Sequence, residues 1–544
     1  AWARERSIKE RKLEHGIQSI YSLRGCSSNN FNPFIALKRE NCNEYAGEVL
    51  GFSFVYSGNF LAQVEVDTYD VTRVMMGIHP HCFSWSLEKG ESFQTPEVVM
   101  VYSNDGLNKM SQTYHKLYQR RLARGKYRDQ VRPILVNNWE ATYFDFDEEK
   151  IMDIAGTAQK LGIELFVLDD GWFGKRNNDV AGLGDWYPNL QKLPSGISGL
   201  SRKINNLGMK FGLWFEPEMV NKNSDLYRNH PQWILETPNR PSSHGRNQFV
   251  LDFSNPEVVI YVYNMMTEVI DKANISYIKW DMNRCMTEVY SSCHDSESQG
   301  RVMHEYILGV YQLYELLTSR FPEILFESCA SGGARFDPGM MYYAPQCWTS
   351  DDTDALERLK IQYGTSMVYP VSSLGAHVSA APNHQLLRNT PIETRANVAY
   401  FGTFGYELDL NKLSMDEQIK VKEQITFMKD YREIIQFGTF YRLKSPFEGN
   451  ETVWMVVSQD QNTAIIGYYR TLQEVNVGYR RVKLLGLDPD KEYHVNLNNT
   501  VHYGDELMNL GLITTDSSCG ENKEKYDGTN GDYLSRIYVL KAKI

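Results

Sequence analysis

The chain has 544 residues, and 57 Lys and Arg against 68 Asp and Glu give a formal net charge of −11. Hydrophobic residues make up 42% and charged residues 23%, which is ordinary globular usage and excludes a disordered or collagen-like chain. The acidic balance argues against binding to nucleic acid or to anionic membranes. No apolar run approaches the roughly 20 residues of a membrane span. We therefore expect several globular domains and neither a nucleic-acid nor a membrane partner.

The cysteines carry no metal or disulfide signature. All eight are scattered and none forms a C-x-x-C pair, so we expect no metal and a reducing, cytoplasmic compartment. No G-x-G-x-x-G follows a predicted strand, and we expect no cofactor. The chain opens without Met or a signal peptide, which suggests a piece of a longer polypeptide that a signal peptide could have preceded.

The pattern of apolar residues divides the chain into four parts. Residues 1–102 alternate like β-strands, and residues 103–132 have helical spacing, with N-cap candidates from Ser103 to Asp105 and a stop at Gly125. Residues 133–440 repeat a strand–loop–helix order. The β pattern returns over 441–544, which predicts a C-terminal antiparallel domain.

The repeated region predicts an α/β fold of the TIM (β/α)8 barrel type. In two helix exits, Gly162 and Gly208 permit the left-handed conformation that leads into a strand, and Asp147 is an N-cap candidate for the first of these helices. Eight short apolar strands over about 300 residues fit a closed barrel better than an open sheet. The predicted strands are 133–140, 164–172, 210–218, 277–284, 323–333, 346–352, 367–373 and 398–405.

Most of these strands end in acidic, polar or aromatic residues, where a TIM barrel holds its active site. Carboxylates accept hydrogen bonds from hydroxyls and indoles stack on C–H faces, so the combination predicts a sugar site. The candidates are Asn138, Trp139, Asp169, Asp170, Trp172, Trp214, Glu216, Glu218, Lys279, Trp280, Asp281, Asn283, Arg284, Glu327, Ser328, Cys329, Asp351 and Asp352.

Two of these carboxylates suit glycosidic chemistry. Asp281 and Asp351 would come from the fourth and sixth strands, so they can face each other across the barrel mouth. One would attack C1 while the other protonates the leaving oxygen. Lys279 alternates with Asp281 and points the same way, and its charge would keep Asp281 ionised.

Five motifs resemble one known family. LDDGWF, WFEPEM, KWDMNR, ESCASGGARFDPGM and CWTSDDTDA occur in that order between about Trp139 and Glu407, and they resemble the α-galactosidases of glycoside hydrolase family 36. The resemblance implies a retaining exo-hydrolase of terminal α-galactosyl groups, with substrates such as melibiose and raffinose. It also implies that residues 1–102 are the C-terminal part of a β-sandwich domain, and that the full-length protein forms homo-oligomers, commonly tetramers.

The motif match assigns roles residue by residue. Asp281 matches the nucleophile and Asp351 the general acid/base, while Asp169 and Asp170 match the pair that binds the 4- and 6-hydroxyls. Where the family usually has Asn after the acid/base, this chain has Asp352. The remaining substrate-binding positions are Trp139, Trp214, Arg246, Lys279, Asn283, Cys329 and Gly332.

Other interpretations remain open at this point. Asp351 or Asp352 can cap the following helix, and we expect Asp352 to do so. We expect Cys329 to be a pocket wall and not a nucleophile. The alternatives for the whole protein are an α-N-acetylgalactosaminidase of the same fold and a catalytically silent galactoside-binding protein.

Overall fold

The computed structural model describes residues 7–475, 478–497, 499–514 and 531–543. The N-terminal region contains two antiparallel three-stranded sheets, ordered β1-β4-β5 and β2-β3-β6 once the strands are numbered along the chain. These strands are β1 (Gly16–Tyr21), β2 (Phe34–Lys38), β3 (Val49–Phe54), β4 (Phe60–Val66), β5 (Thr72–Ile78) and β6 (Val98–Ser103). The β character predicted for this part of the chain is thus present.

A helix connects these sheets to the next region. Helix α1 (Gly106–Leu117) continues into a π-helical turn at Tyr118–Leu122, and a short 3-10 turn follows at Lys126–Arg128. Asp105 is the N-cap residue but makes no capping hydrogen bond with its side chain. Instead, the Ser103 hydroxyl accepts a hydrogen bond from the Asp105 N–H at 3.1 Å.

The central region is a closed barrel of eight parallel strands. The eight barrel strands are β7 (Leu135–Asn137), β8 (Leu165–Leu168), β9 (Lys210–Phe215), β12 (Tyr277–Trp280), β13 (Leu325–Ser328), β14 (Gln346–Trp348), β15 (Leu374–Ser379) and β16 (Thr403–Glu407). A small separate pair consists of β10 (Met219–Val220) and β11 (Phe249–Val250). Around the barrel the order is β7-β8-β9-β12-β13-β14-β15-β16, closed by pairing of β16 with β7. This is the predicted TIM barrel.

Helices connect and cover the barrel strands. They are α2 (Trp139–Thr142), α3 (Glu148–Leu161), α4 (Gly196–Asn206), α5 (Asp225–Asn229), α6 (Pro256–Lys272), α7 (Val302–Arg320), α8 (Pro338–Tyr343), α9 (Ala355–Thr365), α10 (Ile392–Ala399) and α11 (Met415–Phe437), with 3-10 turns at Pro231–Trp233, Gln299–Arg301, Val371–Ser373 and Leu410–Lys412. Asp147 caps α3 by accepting the Lys150 N–H at 2.9 Å, as predicted. Gly162, at φ 96°, and Gly208, at φ 83°, adopt the positive φ that such helix exits require.

Two of the predicted barrel strands were wrong. Residues 367–373 contain a 3-10 turn after Pro370, and the seventh strand is β15, further along the chain. The eighth begins only at Thr403, because residues 392–399 form α10. Both runs are apolar and buried, and a short apolar run does not distinguish a buried helix from a buried strand.

The C-terminal region is a six-stranded antiparallel sheet, ordered β17-β18-β19-β24-β21-β22, with a two-stranded pair of β20 and β23. Its elements are β17 (Thr439–Lys444), β18 (Glu451–Val457), β19 (Thr463–Arg470), β20 (Arg481–Val482), β21 (Glu492–Val495), β22 (Thr500–Tyr503), α12 (Gly504–Asn509), β23 (Leu512–Ile513) and β24 (Leu534–Ala542). The sheet is joined to the barrel by the Tyr469 hydroxyl, which donates to the Asn397 carbonyl of α10 at 2.6 Å. Within the described ranges, no helix is long and apolar enough to cross a membrane.

Candidate active site

The predicted nucleophile lies at the end of the fourth barrel strand, where Asp281 follows β12 directly. Its Oδ1 accepts the N–H groups of Met282 at 2.8 Å and Ser331 at 3.3 Å. Its Oδ2 accepts the Asn283 side-chain amide at 2.7 Å and the Trp214 indole N–H at 3.3 Å. Four donors thus fix the orientation of a carboxylate that is almost completely buried.

The neighbours of Asp281 offset the effect of burial on its pKa. Burial by itself would raise the pKa of Asp281, but the nearby Lys279 ammonium lowers it below its usual value, helped by the Cys329 thiol and by Arg246. Lys279 in turn lies 2.9 Å from Asp169 Oδ2, and this ion pair raises the pKa of Lys279 well above its usual value despite burial. These neighbours therefore favour the ionised form of Asp281.

The predicted acid/base follows the sixth strand. Oδ1 of Asp351 accepts the Trp348 indole N–H at 3.0 Å, and the Gln385 side chain donates to the Asp351 carbonyl at 2.7 Å. Burial, and secondly the charge of Asp281, raise the pKa of Asp351 to about 6. The two carboxyl groups therefore have pKa values displaced in opposite directions, which is the arrangement that separates an acid from a nucleophile.

A glycine brings the two loops together. Gly332 has a φ of +81°, and a Cβ there would lie 2.7 Å from the Asp351 backbone nitrogen and 2.8 Å from the Ser350 Cα. No side chain fits in that space. The neighbouring Ser331 N–H is a donor to Asp281, so Gly332 lets the loop after β13 contact both Asp281 and the Asp351 backbone.

The Asp169–Asp170 pair follows β8, and both carboxylates are buried. Asp169 accepts hydrogen bonds from Lys279 and, at 2.6 Å, from the Asn137 side-chain amide. Asp170 receives the Arg176 guanidinium, with Nε 3.0 Å from Oδ1 and Nη2 2.8 Å from Oδ2. Both groups are thus held rigidly before any substrate binds.

Three further predicted residues have the following surroundings. Arg246 Nη1 donates to Asn283 Oδ1 and, at 3.2 Å, to the Ser331 hydroxyl. Trp139 is half-buried at the start of α2, packed edge-on against Phe144. Cys329 is buried, and burial together with the Asp281 charge raises the pKa of its thiol well above its usual value, which favours the neutral thiol.

The family-model comparisons cover nearly the whole chain. Residues 92–438 match the melibiase model, residues 1–88 match the glycosyl hydrolase family 36 N-terminal domain, and residues 451–540 match the family 36 C-terminal domain. This chain belongs to glycoside hydrolase family 36.

Similar proteins carry α-galactosidase names. The chain is 57% identical to α-galactosidase AgaA of Geobacillus stearothermophilus over 542 residues, which is 100% of this chain and 73% of that protein. It is 46% identical to α-galactosidase Mel36A of Lactobacillus acidophilus, covering 100% of this chain and 72% of that protein. A crystal structure of an AgaA variant in complex with raffinose superposes with a TM-score of 0.96 at 56% identity, covering 100% of this chain and 74% of that one.

The structure differs from one prediction about the loop that contains Asp351 and Asp352. Asp352 does not cap the following helix: the N-cap of α9 is Asp354, whose carboxylate accepts the N–H groups of Leu356 and Glu357. Asp352 instead accepts the Asp354 N–H at 3.1 Å. Because β14 ends at Trp348, Asp351 and Asp352 lie in a loop, and strand alternation does not govern them.

Not every acidic strand end belongs to the site. Glu218 forms a fully buried, two-pronged ion pair with Arg335 at 2.7 and 2.8 Å, and Glu327 accepts the Gln346 side chain at 2.7 Å. Trp172 donates its indole N–H to the Trp214 carbonyl at 2.9 Å. Several of the acidic and aromatic strand-end candidates therefore have protein partners that hold the barrel together.

Other strand-end residues support the segment that follows Asp281. Glu216 accepts the backbone N–H of Asn283 and, at 2.9 Å, the Gln248 side-chain amide, so it fixes the loop that contains the Asn283 donor. Arg284 donates to the Gln248 carbonyl at 2.7 Å and pairs with Glu288 at 3.0 Å. Both residues position the segment that follows Asp281.

Sequence reasoning missed two supporting residues, Arg176 and Asn137. Arg176 lies in the loop after β8, three residues after the end of the LDDGWF motif. Nothing in its spacing marks it as the partner of Asp170. The prediction named Asn138 and not Asn137, which is the last residue of β7. Strand alternation could have found Asn137, because the side chains that face the barrel interior occur at every second position.

Proposed function

We propose that this chain is a retaining exo-α-galactosidase that hydrolyses terminal α-D-galactosyl residues of oligosaccharides such as melibiose and raffinose by double displacement. The relatives named above are α-galactosidases, and one was crystallised with raffinose. The observation that carries the proposal is a pair of buried carboxyls with pKa values displaced in opposite directions: Asp281, held by four donors and with a lowered pKa, and Asp351, with a pKa of about 6.

In the first displacement, an Asp281 oxygen attacks C1 of galactose while the Asp351 proton passes to the glycosidic oxygen. The C1–O bond to the leaving sugar breaks, and a β-galactosyl ester of Asp281 remains. In the second, the Asp351 carboxylate removes a proton from water, and the water oxygen displaces Asp281 from C1. The product is α-galactose, and both carboxyls return to their starting protonation states.

Selection of galactose follows from Asp169 and Asp170. Both carboxylates are buried and held by cationic partners, Lys279 and Arg176 respectively. An axial 4-hydroxyl that donates to this pair satisfies their remaining acceptor capacity, whereas the equatorial hydroxyl of glucose would leave it unpaired. A site built around such a hydrogen bond discriminates strongly against the epimer.

The decisive experiment determines which anomer of galactose forms first and tests whether Asp281 is the nucleophile. Proton NMR of p-nitrophenyl α-galactoside hydrolysis should show α-galactose formed first. Asp281→Ala should lose at least about 1,000-fold in kcat, and added azide should restore turnover with β-galactosyl azide as product. Asp129→Ala, at an exposed ion pair, is the matched control. Initial release of β-galactose, or Asp281→Ala activity within tenfold of wild type, would overturn the mechanism.

The same assay separates the two alternative functions. Comparable kcat/KM on p-nitrophenyl α-N-acetylgalactosaminide would favour the acetylgalactosaminidase, and galactose binding without turnover would favour a silent binding protein. The intact carboxyl pair argues against the silent protein.

We also propose a cytoplasmic homo-oligomer. The cysteines among the described residues are free thiols, which suits a reducing compartment. Strand β6 exposes Val98, Met100 and Tyr102 on one face, which is apolar surface that a second copy can cover. Light scattering of the purified protein tests the oligomer, and cell fractionation tests the compartment.

A further inference from the structure

Two distant segments of the chain meet beside the nucleophile loop. Cys285 lies four residues after Asp281, and its neighbour Met286 donates its N–H to the Arg24 carbonyl at 3.0 Å. Gly25 packs so closely on Met286 that a Cβ there would lie 2.5 Å from the Met286 sulfur. The backbone of residues 24–26 is therefore in direct contact with the segment that follows the catalytic aspartate.

This contact brings two thiols together. The Cys26 thiol is completely buried and the Cys285 thiol is partly exposed, and they lie close enough for each to shift the pKa of the other. Arg24 Nη1 lies 3.6 Å from the Cys285 sulfur. Cys26 is further fixed through its carbonyl, which accepts the Ser22 hydroxyl at 2.5 Å.

The two thiols differ in pKa. A hydrogen bond from Cys26, followed by the Arg24 guanidinium, lowers the pKa of Cys285 in spite of its partial burial. The same hydrogen bond and complete burial raise the pKa of Cys26 well above its usual value. A partly exposed thiol of lowered pKa next to a buried thiol is the usual arrangement of an attacking and a resolving cysteine.

We propose that Cys26 and Cys285 are a modification site: a cysteine pair that hydrogen peroxide oxidises to a reversible disulfide between the N-terminal region and the nucleophile loop. Neither residue has a place in the hydrolytic mechanism, and the pair is independent of the galactosidase proposal.

The oxidation balances in two steps. The Cys285 thiolate attacks one peroxide oxygen, the O–O bond breaks, and hydroxide leaves, giving a sulfenic acid on Cys285. The Cys26 sulfur then attacks the Cys285 sulfur, the S–O bond breaks, and hydroxide accepts the Cys26 proton to leave as water. In sum, two thiols and one peroxide give one disulfide and two waters. A dithiol such as dithiothreitol reverses the change.

The disulfide should alter catalysis through the loop. An S–S bond of about 2.05 Å is shorter than any thiol–thiol hydrogen bond, so oxidation must draw the two segments closer. Asn283, two residues before Cys285, donates to Asp281 at 2.7 Å. Displacing that donor should reduce kcat/KM.

The test uses the intact wild-type chain treated with hydrogen peroxide at pH 7, denatured, alkylated and mapped by mass spectrometry. We expect a cross-linked peptide that joins Cys26 to Cys285 and disappears with dithiothreitol. In Cys26→Ser, dimedone should trap a sulfenic acid on Cys285, whereas Cys285→Ser should leave Cys26 unmodified. Cys82→Ser removes an exposed cysteine elsewhere and should still form the cross-link.

Activity is the second readout. In wild type and Cys82→Ser, peroxide should lower kcat/KM at least threefold, and dithiothreitol should restore it. Cys285→Ser should keep its kcat/KM under the same treatment. If Cys26 and Cys285 stay fully alkylatable while Cys82 is oxidised, the modification site is refuted. A quantitative cross-link with unchanged kcat/KM refutes the coupling to the nucleophile loop.

Discussion

The indole N–H of Trp348 donates to Oδ1 of Asp351 at 3.0 Å, from the last residue of the strand that precedes the acid/base loop. The indole is itself held in place, with the His377 ring 4.4 Å from it and the Arg358 guanidinium 4.5 Å above it. A hydrogen bond to the ionised form of a carboxyl lowers its pKa. Trp348 therefore both aims Asp351 and moderates the rise in pKa that burial and Asp281 cause.

Trp348→Phe should raise the pKa of Asp351. Phenylalanine keeps an aromatic ring between His377 and Arg358 but removes the donor, so the protonated acid is favoured. The alkaline limb of the kcat/KM profile should move to higher pH by about 0.5–1 unit, and kcat should fall because Asp351 is less well oriented.

Trp454→Phe is the matched control for that measurement. Its indole also donates within a buried site, to the Tyr469 hydroxyl at 3.1 Å, but in the C-terminal domain. It should leave the pH profile unchanged. An alkaline limb that stays in place or moves down in Trp348→Phe would show that the hydrogen bond does not tune Asp351.

The wild-type pH profile should be bell-shaped with an alkaline limb near pH 6. Asp351 must carry a proton in the free enzyme, and burial sets its pKa to about 6, so kcat/KM falls as pH rises through that value. Asp281 must be ionised, and Lys279 holds its pKa below the usual range, so the acid limb should lie below about pH 4.

The dependence of kcat/KM on the leaving group distinguishes Asp351, the proposed acid/base, from its neighbour Asp352. Asp351→Ala should lose at least about 1,000-fold in kcat/KM on melibiose, whose leaving group needs a proton, and far less on p-nitrophenyl α-galactoside. Asp352→Ala should affect both substrates alike and mildly, since its carboxylate holds the Asp354 N–H. If the dependence on leaving group appears in Asp352→Ala instead, the acid/base role belongs to Asp352.

Gly332→Ala should lower kcat/KM because the added methyl group presses on the Asp351 backbone, and not only because of backbone strain. The added methyl would press on the Asp351 backbone at 2.7 Å, so we expect a fall in kcat/KM of at least about 100-fold. Gly90→Ala is the matched control, because Gly90 has a similar φ of +95° and nothing within 4 Å of its Cβ position. Equal effects of the two substitutions on kcat/KM would rule out the contact explanation.

The sequence predicted the barrel and the position of Asp281 and Asp351 after its strands, because both depend on local order. Asp281 follows an apolar strand directly, so its place at the barrel mouth is set by the chain. The predicted strands ran too far, as at Trp139, which begins α2 although the strand was predicted through residue 140. Apolar and aromatic residues continue from strand into site loop, so the pattern does not mark where each strand ends.

Contacts between distant segments could not be read from the sequence. The Asp170–Arg176 and Glu218–Arg335 pairs are both buried arginine–carboxylate pairs, yet only the first lies in the site, and nothing in the spacing separates them. The meeting of Cys26 and Cys285, which are 259 positions apart in the chain, likewise depends on how the N-terminal sheets pack on the barrel rim. Such pairings are consequences of tertiary packing.

Asp170→Asn should reduce stability and activity together. Asp170 and Arg176 are 9% and 2% exposed, and the carboxamide would keep the volume while leaving the guanidinium charge without its partner. Removing one partner of a buried ion pair costs about 3–5 kcal/mol. We therefore expect a clearly lower Tm, a higher KM and a lower kcat on galactosides, because the acceptor of the sugar hydroxyl is also weakened.

Asp271→Asn is the matched control for Asp170→Asn. Asp271 pairs with Arg320 at 2.6 Å, but both side chains are nearly half exposed, so its loss should change stability by no more than about 1 kcal/mol. The double variant Arg176→Gln with Asp170→Asn separates the two effects, since it removes the unpaired charge. It should recover part of the lost Tm without recovering kcat/KM. Full recovery of kcat/KM in the double variant would mean that Asp170 serves only to neutralise Arg176 and does not bind the sugar.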